Sequence, residues 1–139
     1  MLAIGDAGGA VRLINTADGS DAQQLQAGGA VRGLFFSPDG TLLAAPRADG
    51  PVPVWRVGEQ MPISTLAGNP DDGKLIFTTD NQLALVAGAR GVVFYRLPDG
   101  ALLSTLPAQA EDIAIGPRQR LLAVLKDGRV MLWGVVQPL

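Results

Sequence analysis

The residues of this chain that could carry out acid–base or metal chemistry are few, and the most suggestive come as two acidic pairs. Asp71-Asp72 and Glu111-Asp112 could act as paired carboxylates in proton transfer, or they could bind Ca²⁺. A calcium loop needs a longer series of acidic ligands, such as Asp-x-Asp-x-Asp-Gly, and the chain contains no such series. We therefore interpret both pairs as solvated loop charges.

Serine residues are the remaining candidates for nucleophilic catalysis, but the chain offers them no histidine base. Histidine and cysteine are both absent, which excludes Ser-His and Cys-His pairs, His or Cys metal sites and disulfides within this sequence. Lys74 or Lys126 could act as an alternative base, and no motif supports that arrangement. The three serines considered are Ser37, Ser64 and Ser104. We expect no enzymatic activity, no metal and no cofactor.

A glycine-rich stretch near the start, Gly5 to Gly9, could form a cradle for phosphate. Such cradles precede a helix and are often followed by Lys-Ser or Lys-Thr. Here the next residues are a β-rich run, and no such dipeptide follows. The stretch is predicted to be a hairpin turn.

Along the rest of the chain, one pattern returns at a nearly constant interval. The segments FSPDGTLLA, FTTDNQLAL and IGPRQRLLA begin at Phe36, Phe77 and Ile115, which are 41 and 38 residues apart. A second series, VRLI, VPVW, VVFY and VMLW, begins at Val11, Val52, Val92 and Val130. A period of roughly 40 residues containing several short strands is typical of a propeller blade.

The runs within each repeat favour strands over helices. They are short, rich in β-branched and aromatic residues, and cut by Pro-Asp-Gly or Asp-Gly. A content of 47% hydrophobic and 17% charged residues argues against disorder. We predict an all-β chain that forms a partial β-propeller of about three and a half four-stranded antiparallel blades.

The repeats divide the chain into four units of one open propeller segment, residues 1–139. Strands are lettered a to d from the propeller axis outward. The two middle units are predicted to be complete, whereas the first holds strands b-c-d and the last holds a-b-c. The boundaries are 1–29, 30–69, 70–109 and 110–139. Because Pro53 lies inside a predicted strand, irregular pairing is expected there.

Two motifs resemble those of WD-repeat propellers. One is Phe-Ser-Pro-Asp-Gly at Phe36 to Gly40, and the other is Asp-Gly followed by a run ending in Trp, at Asp49 to Trp55 and again at Asp127 to Trp133. The Gly-His dipeptide of that family is absent, so its histidine-dependent hydrogen-bonded tetrad cannot form. The Asp expected after each aromatic position is replaced by Asn15, Arg56, Arg96 and Gly134. The chain therefore resembles a degenerate, bacterial WD-like propeller segment.

The resemblance implies a repeat core and a partner-binding rim. Trp55, Tyr95 and Trp133 could also form an aromatic cage for a cation, but their equivalent positions favour packing between blades. The predicted core residues are Phe36, Trp55, Phe77, Tyr95, Ile115 and Trp133. In this family the starts of strands a share one rim with the b-to-c turns, and we define the rim here as Arg32, Arg47, Asp72, Lys74, Arg90, Glu111 and Asp112. A merely solvated rim is the simpler interpretation of these charges.

The resemblance implies a non-enzymatic scaffold for protein–protein interaction. The alternative is a structural half-propeller that closes a ring by homo-oligomerisation or with the rest of a longer chain, since open sheet faces and edges favour association. A net charge of −2 gives no electrostatic signature for nucleic acid or an anionic membrane. The first residues do not read as a signal peptide, so a cytoplasmic location is expected.

Overall fold

The structure is a computed structural model that describes residues 1–67, 74–88, 91–116 and 121–134. Within these ranges the chain forms fourteen β-strands and no helix, which confirms the all-β prediction. The strands are β1 (Leu2–Gly5), β2 (Ala10–Ile14), β3 (Asp21–Gln26), β4 (Phe35–Phe36), β5 (Leu42–Ala44), β6 (Val52–Arg56), β7 (Ser64–Leu66), β8 (Leu75–Phe77), β9 (Leu83–Gly88), β10 (Gly91–Arg96), β11 (Leu102–Leu106), β12 (Asp112–Ile115), β13 (Leu121–Lys126) and β14 (Arg129–Gly134).

These strands form four antiparallel sheets, and each sheet is built from strands that are consecutive in the chain. The first sheet is β1-β2-β3, the second β4-β5-β6-β7, the third β8-β9-β10-β11 and the fourth β12-β13-β14. Short turns that favour positive φ join the hairpins. The turn between β13 and β14, for example, consists of Asp127 with φ 49° and Gly128 with φ 71°, the combination that matches the twist of a two-residue hairpin.

The second and third sheets bury residues on both of their faces. Successive residues of a strand point to opposite faces, so Leu42 and Ala44 pack against the third sheet while Leu43 packs against the first. In the third sheet Val86 packs toward the second sheet and Leu85 toward the fourth. This explains why the three inner strands of these two sheets are apolar almost without interruption, whereas the outer strands β7 and β11 contain Ser and Thr.

The predicted core residues differ in how far they are buried. Trp55 and Tyr95 are each 1% exposed, Trp55 between the first and second sheets and Tyr95 between the second and third. Phe77 is buried beside Tyr95, whereas Phe36 and Ile115 are only partly buried. An aromatic cage open to a cation is incompatible with the burial of Trp55 and Tyr95.

Trp133 departs from the predicted core, since it is 43% exposed. Its partner across the sheet is Leu122, which is buried against the third sheet, so Trp133 lies on that same inner side. The physical difference is the position of the strand. Trp55 and Tyr95 lie on strands paired at both edges, whereas in the described part of the chain β14 pairs only with β13.

Two proline residues modify the strands of the second sheet. The first strand of this sheet is reduced to β4 and one bridge between Val31 and Arg47. Arg32 N donates to Pro46 O at 2.7 Å, but proline has no N–H to return, so the ladder does not continue. The irregular pairing expected at Pro53 does not occur on the side of β7, where Pro53 pairs in register with Thr65.

The effect of Pro53 falls on β5 instead. Ala45 N donates to Pro53 O at 3.2 Å, but Pro53 has no N–H that could donate to the carbonyl of Ala45. The strand β5 therefore ends at Ala44. The register shifts that do occur lie in the first and third sheets, between Leu13 and Ile14 and between Phe94 and Tyr95.

Candidate functional site

The rim lies at one end of the sheets, because each sheet's innermost strand begins beside the hairpin turn between its next two strands. Val31 bridges to Arg47, and Ala87 N donates to Lys74 O at 2.9 Å. Antiparallel pairing therefore brings these positions to a common end of their sheets. The rim residues within the described ranges are Arg32, Arg47, Lys74, Glu111 and Asp112. Asp72 and Arg90 lie outside the described residues.

Arg47 connects the second sheet to the segment that arrives from the first. Its Nε donates to Pro51 O at 2.9 Å, and its NH1 group donates to Gly28 O at 2.8 Å. A Cβ at Gly28 would lie 2.7 Å from that nitrogen, and one at Gly50 would lie 2.8 Å from NH2. The guanidinium thus occupies a space that two glycines leave open, and it holds two backbone carbonyls together.

Lys74 and Asp112 form an ion pair that joins the third and fourth sheets. Lys74 Nζ lies 2.8 Å from Asp112 Oδ2, and the two side chains are about half exposed. The hydrogen bond from Lys74 lowers the pKa of Asp112 below its ordinary value, and the charge of Lys74 and a hydrogen bond from Ile113 N act in the same direction. The remaining oxygen, Oδ1, accepts that bond from Ile113 N at 2.7 Å. Both rim charges are therefore already paired within the chain.

The other two described rim residues differ from one another. Glu111 Oε1 accepts a hydrogen bond from Asp127 N at 3.2 Å, which orders the turn between β13 and β14. Arg32 is exposed, and within the described ranges its side chain makes no hydrogen bond or ion pair. A recess of about 220 Å³ opens beside Glu111, lined by Gly88, Gln109, Ala110, Glu111, Lys126 and Asp127. Among the described rim residues, Arg32 is the charge most available to a binding partner.

The opposite end of the sheets carries a polar network that sequence reasoning did not identify. Asp39 Oδ1 accepts from Ser37 Oγ at 2.7 Å and from Thr41 N at 3.0 Å, while Asn81 Nδ2 donates to Asp39 Oδ2 at 2.7 Å. These donors, Ser37 first, lower the pKa of Asp39 well below its ordinary value. The Asn81 contact links the turns of the second and third sheets. The recurrence of Ser-x-Asp and Thr-x-Asp at the start of equivalent turns could have predicted this network from the sequence.

A wide apolar groove of about 680 Å³ runs across the innermost strands of the second, third and fourth sheets. It was also missed, although the doublets Phe35-Phe36 and Ile76-Phe77 mark it in the sequence. In such a doublet one residue packs against each neighbouring sheet, as Phe36 does toward the first sheet and Phe35 toward the third. The groove is lined by Leu34, Phe35, Phe36, Pro38, Leu75, Ile76, Phe77, Thr78, Thr79, Ile115 and Gly116.

The glycine-rich turn near the start binds its own aspartate. Asp6 Oδ1 accepts from Gly8 N at 2.8 Å and from Ala10 N at 2.9 Å. These are amides that a phosphate would need, and a carboxylate at their centre would repel it. In the described part of the chain, moreover, no three acidic residues are grouped closely enough to hold a metal ion. The same residues include no helix long and apolar enough to cross a membrane.

The chain is similar in sequence to a known protein over much of its length. No protein-family model matches it. Striatin-4 of Mus musculus is 35% identical over 117 residues, covering 73% of this chain and 15% of Striatin-4. The chain thus spans a small part of that relative. Striatin-4 is a WD-repeat protein, and four antiparallel sheets in an all-β chain are consistent with a WD-like segment.

Proposed function

We propose that this chain is a WD-repeat-like β-propeller segment that acts as a non-enzymatic scaffold for protein–protein interaction. The observation that carries the proposal is the packing of the second and third sheets, whose inner strands are covered on both faces by a neighbouring sheet. Propeller blades pack in this way, and the sequence similarity to Striatin-4 points in the same direction. Such stacking holds the connecting loops rigidly at the ends of the sheets, where binding residues usually lie.

The rim is the binding surface that we propose, with Arg32 as its main contact residue. Its other described charges are fixed by intramolecular contacts and therefore present a preorganised pattern rather than mobile side chains; they are Arg47, Lys74, Glu111 and Asp112. A charged rim on a rigid scaffold suits a folded protein partner. Because the net charge is −2, we propose neither nucleic acid nor a membrane as the partner. We propose the cytoplasm as the compartment.

Capture experiments from the native lysate test the rim. The Arg32→Glu variant should lose a partner that the unmodified chain retains, because the substitution reverses the one rim charge that has no intramolecular partner in the described ranges. Arg56→Glu is the matched control, since Arg56 is an exposed arginine at the other end of β6. Retention of the same partner by Arg32→Glu, or capture of none by any of the three proteins, would contradict the proposal.

The alternative is a structural half-propeller that closes a ring with a second copy or with further blades. The observation that favours it is the apolar surface left open at the two end sheets, where Leu2 is 51% exposed, Val130 65% and Leu132 68%. Light scattering coupled to size-exclusion chromatography tests it. A monodisperse monomer that does not bind a hydrophobic dye would rule this alternative out.

A further inference from the structure

The dipeptide Asp-Gly recurs in the turns of this chain, and it is the dipeptide in which an aspartate most readily cyclises onto the next backbone nitrogen. Glycine favours this reaction because it has no side chain to hinder the approach of its nitrogen to the carboxyl carbon. The described pairs begin at Asp18, Asp39, Asp49, Asp99 and Asp127. All of these aspartates are exposed, so exposure to water does not distinguish them. A further pair, at Asp72, lies outside the described residues.

In three of these turns the aspartate carboxylate is held by hydrogen bonds. Each of the three accepts from the backbone N–H two residues later and from at least one side chain. The backbone donors are Ser20 N to Asp18 and Thr41 N to Asp39, both at 3.0 Å, and Ala101 N to Asp99 at 3.3 Å. The side-chain donors are Ser20, Ser37 and Arg96, and each is the largest cause of the lowered pKa of its aspartate.

The backbone nitrogen that would attack is also hydrogen-bonded in these three turns. Gly19 N donates to Asn15 O at 2.8 Å, Gly40 N to Ser37 O at 2.9 Å and Gly100 N to Arg96 O at 2.8 Å. Ring closure would have to break this bond together with those of the carboxylate. Both reacting groups are therefore restrained by the turn.

The turns at Asp49 and Asp127 lack both restraints among the described residues. Neither carboxylate accepts a hydrogen bond there, and the next nitrogens, Gly50 N and Gly128 N, donate none. Asp49 lies in the turn between β5 and β6, and Asp127 in the turn between β13 and β14. Both turns therefore lie at the end of the sheets that carries the rim.

The chemistry open to an unrestrained Asp-Gly pair needs no reactant other than water. The glycine nitrogen attacks Cγ of the protonated carboxyl, an N–Cγ bond forms, and a Cγ–O bond breaks as water leaves with the amide proton. The product is a succinimide ring. Water then adds to the former backbone carbonyl and the C–N bond there breaks, which gives isoaspartate. The chain now runs through the side chain, the former backbone carboxyl is free, and no atom is oxidised or reduced.

We propose that, among the Asp-Gly pairs that the structure describes, Asp49 and Asp127 are the ones at which the folded chain converts aspartate to isoaspartate. The hydrogen-bonded turns at Asp18, Asp39 and Asp99 resist the same modification. The three resistant turns and the two reactive ones share one dipeptide, so the difference between them comes from the fold. The modification does not depend on whether the rim binds a partner.

Isoaspartate at these two positions would change the rim end of the second and fourth sheets. It adds a methylene group to the backbone and moves the free carboxylate onto Cα. The backbone beside Asp49 has little spare room, because a Cβ at Gly50 would lie 2.8 Å from NH2 of Arg47. A longer backbone there would displace the guanidinium that donates to Pro51 O.

Prolonged incubation of the full chain at neutral pH tests the proposal, followed by digestion and electron-transfer fragmentation to locate isoaspartate at each residue. We expect isoaspartate at residues 49 and 127 to form at least about tenfold faster than at residues 18, 39 and 99. Absence of isoaspartate at residues 49 and 127, or equal rates in all of these turns, would overturn the proposal.

The same incubation in urea separates the effect of the fold from that of the neighbouring residues. Once the turns are unfolded, the rates at all the Asp-Gly pairs should agree within about threefold, because the reacting dipeptide is the same. If residues 49 and 127 kept their tenfold advantage in urea, the local sequence and not the turn would explain it, and the proposal would fail.

Arg96→Met tests the protection directly, because methionine keeps a long side chain but cannot donate to Asp99. Formation of isoaspartate at residue 99 should rise at least about threefold. Arg56→Met is the matched control, since Arg56 is an exposed arginine whose ion pair, at 3.6 Å, is with Glu59. It should leave the rate at residue 99 unchanged. An unchanged rate in Arg96→Met would overturn the assignment of protection to the hydrogen bonds of the carboxylate.

Discussion

Trp55 and Trp133 end equivalent strands of the repeat, yet one is 1% exposed and the other 43%. The strand of Trp55 lies inside a four-stranded sheet that is covered on both faces, whereas the strand of Trp133 lies at an edge of the fourth sheet. The same residue type at the same repeat position is thus a core residue in one sheet and a surface residue in another. A repeat position acquires its role from its neighbours, since each sheet packs only against the adjoining ones.

The greatest loss of stability is expected from a direct test of this contrast. Trp55→Ala should lower the free energy of unfolding by about 3–5 kcal/mol, because it leaves a cavity between the first and second sheets. Trp133→Ala should cost no more than about 1 kcal/mol, because nearly half of the side chain already contacts solvent. Urea denaturation followed by circular dichroism measures both. Equal losses would mean that the fourth sheet is packed as tightly as the second.

An intermediate effect is expected where two similar turns differ in burial. Ser37 Oγ donates to Asp39 and accepts from Leu42 N at 2.9 Å, and Ser37 is 3% exposed. Ser37→Ala leaves that buried N–H without a partner and should cost about 1–3 kcal/mol. Ser20, whose hydroxyl donates to Asp18 at 2.6 Å on the surface, is the matched control.

Ser20→Ala should change the free energy of unfolding by no more than about 0.5 kcal/mol. In both turns the hydrogen bond from serine lowers the pKa of the aspartate that accepts it. The two variants therefore remove the same kind of hydrogen bond, and they differ in whether the serine is buried. Equal destabilisation of the two variants would show that the burial of Ser37 does not increase the contribution of its hydrogen bonds to the free energy of unfolding.

The weakest effect concerns the ion pair between the third and fourth sheets. Because Lys74 lowers the pKa of Asp112, the carboxylate stabilises the folded chain above its ordinary pKa of about 4, and this contribution is lost as the pH falls through the lowered value. Asp112→Asn should cost less than about 1 kcal/mol at neutral pH. The asparagine can still accept the hydrogen bond from Ile113 N.

Denaturation of the Asp112→Asn variant and the unmodified chain at pH 7 and at pH 2 tests this sign. The two proteins should differ at pH 7, and the difference should shrink as the pH falls through the lowered pKa of Asp112. Lys74→Gln should reproduce the loss at pH 7, since it removes the same pair from the other side. A difference that grew on acidification would show that Asp112 is not stabilised by its charge.

Much of the secondary structure follows from local sequence. Short runs rich in β-branched and aromatic residues, separated by turns such as Asp127-Gly128, predict the antiparallel strands, because residue type and positive φ are properties of a few adjacent residues. The irregular pairing predicted at Pro53 is found only on the side of β5, for a local reason. Its missing donor shortened the neighbouring strand β5 at Ala44 and did not shift the register.

The rim illustrates what a sequence pattern leaves open. Its charged residues could be identified from the repeat, but the pattern could not show that Arg47 is occupied by the carbonyls of Gly28 and Pro51. Nor could it show that Lys74 would meet Asp112, 38 residues away in the chain. Contacts between residues far apart in sequence depend on how two sheets approach each other, and no local signal encodes that approach.

Composition and residue spacing are enough to establish the all-β character, the repeat and the absence of histidine and cysteine chemistry, because these depend on residue types and on intervals of about 40 residues. Which repeat positions are buried is set by the packing of the sheets. Val52 and Val130 are the same residue at the same place in the repeat, and one is 0% and the other 65% exposed. Burial is a property of what packs against a residue: the third sheet covers Val52, whereas no described sheet covers the face of β14 on which Val130 lies.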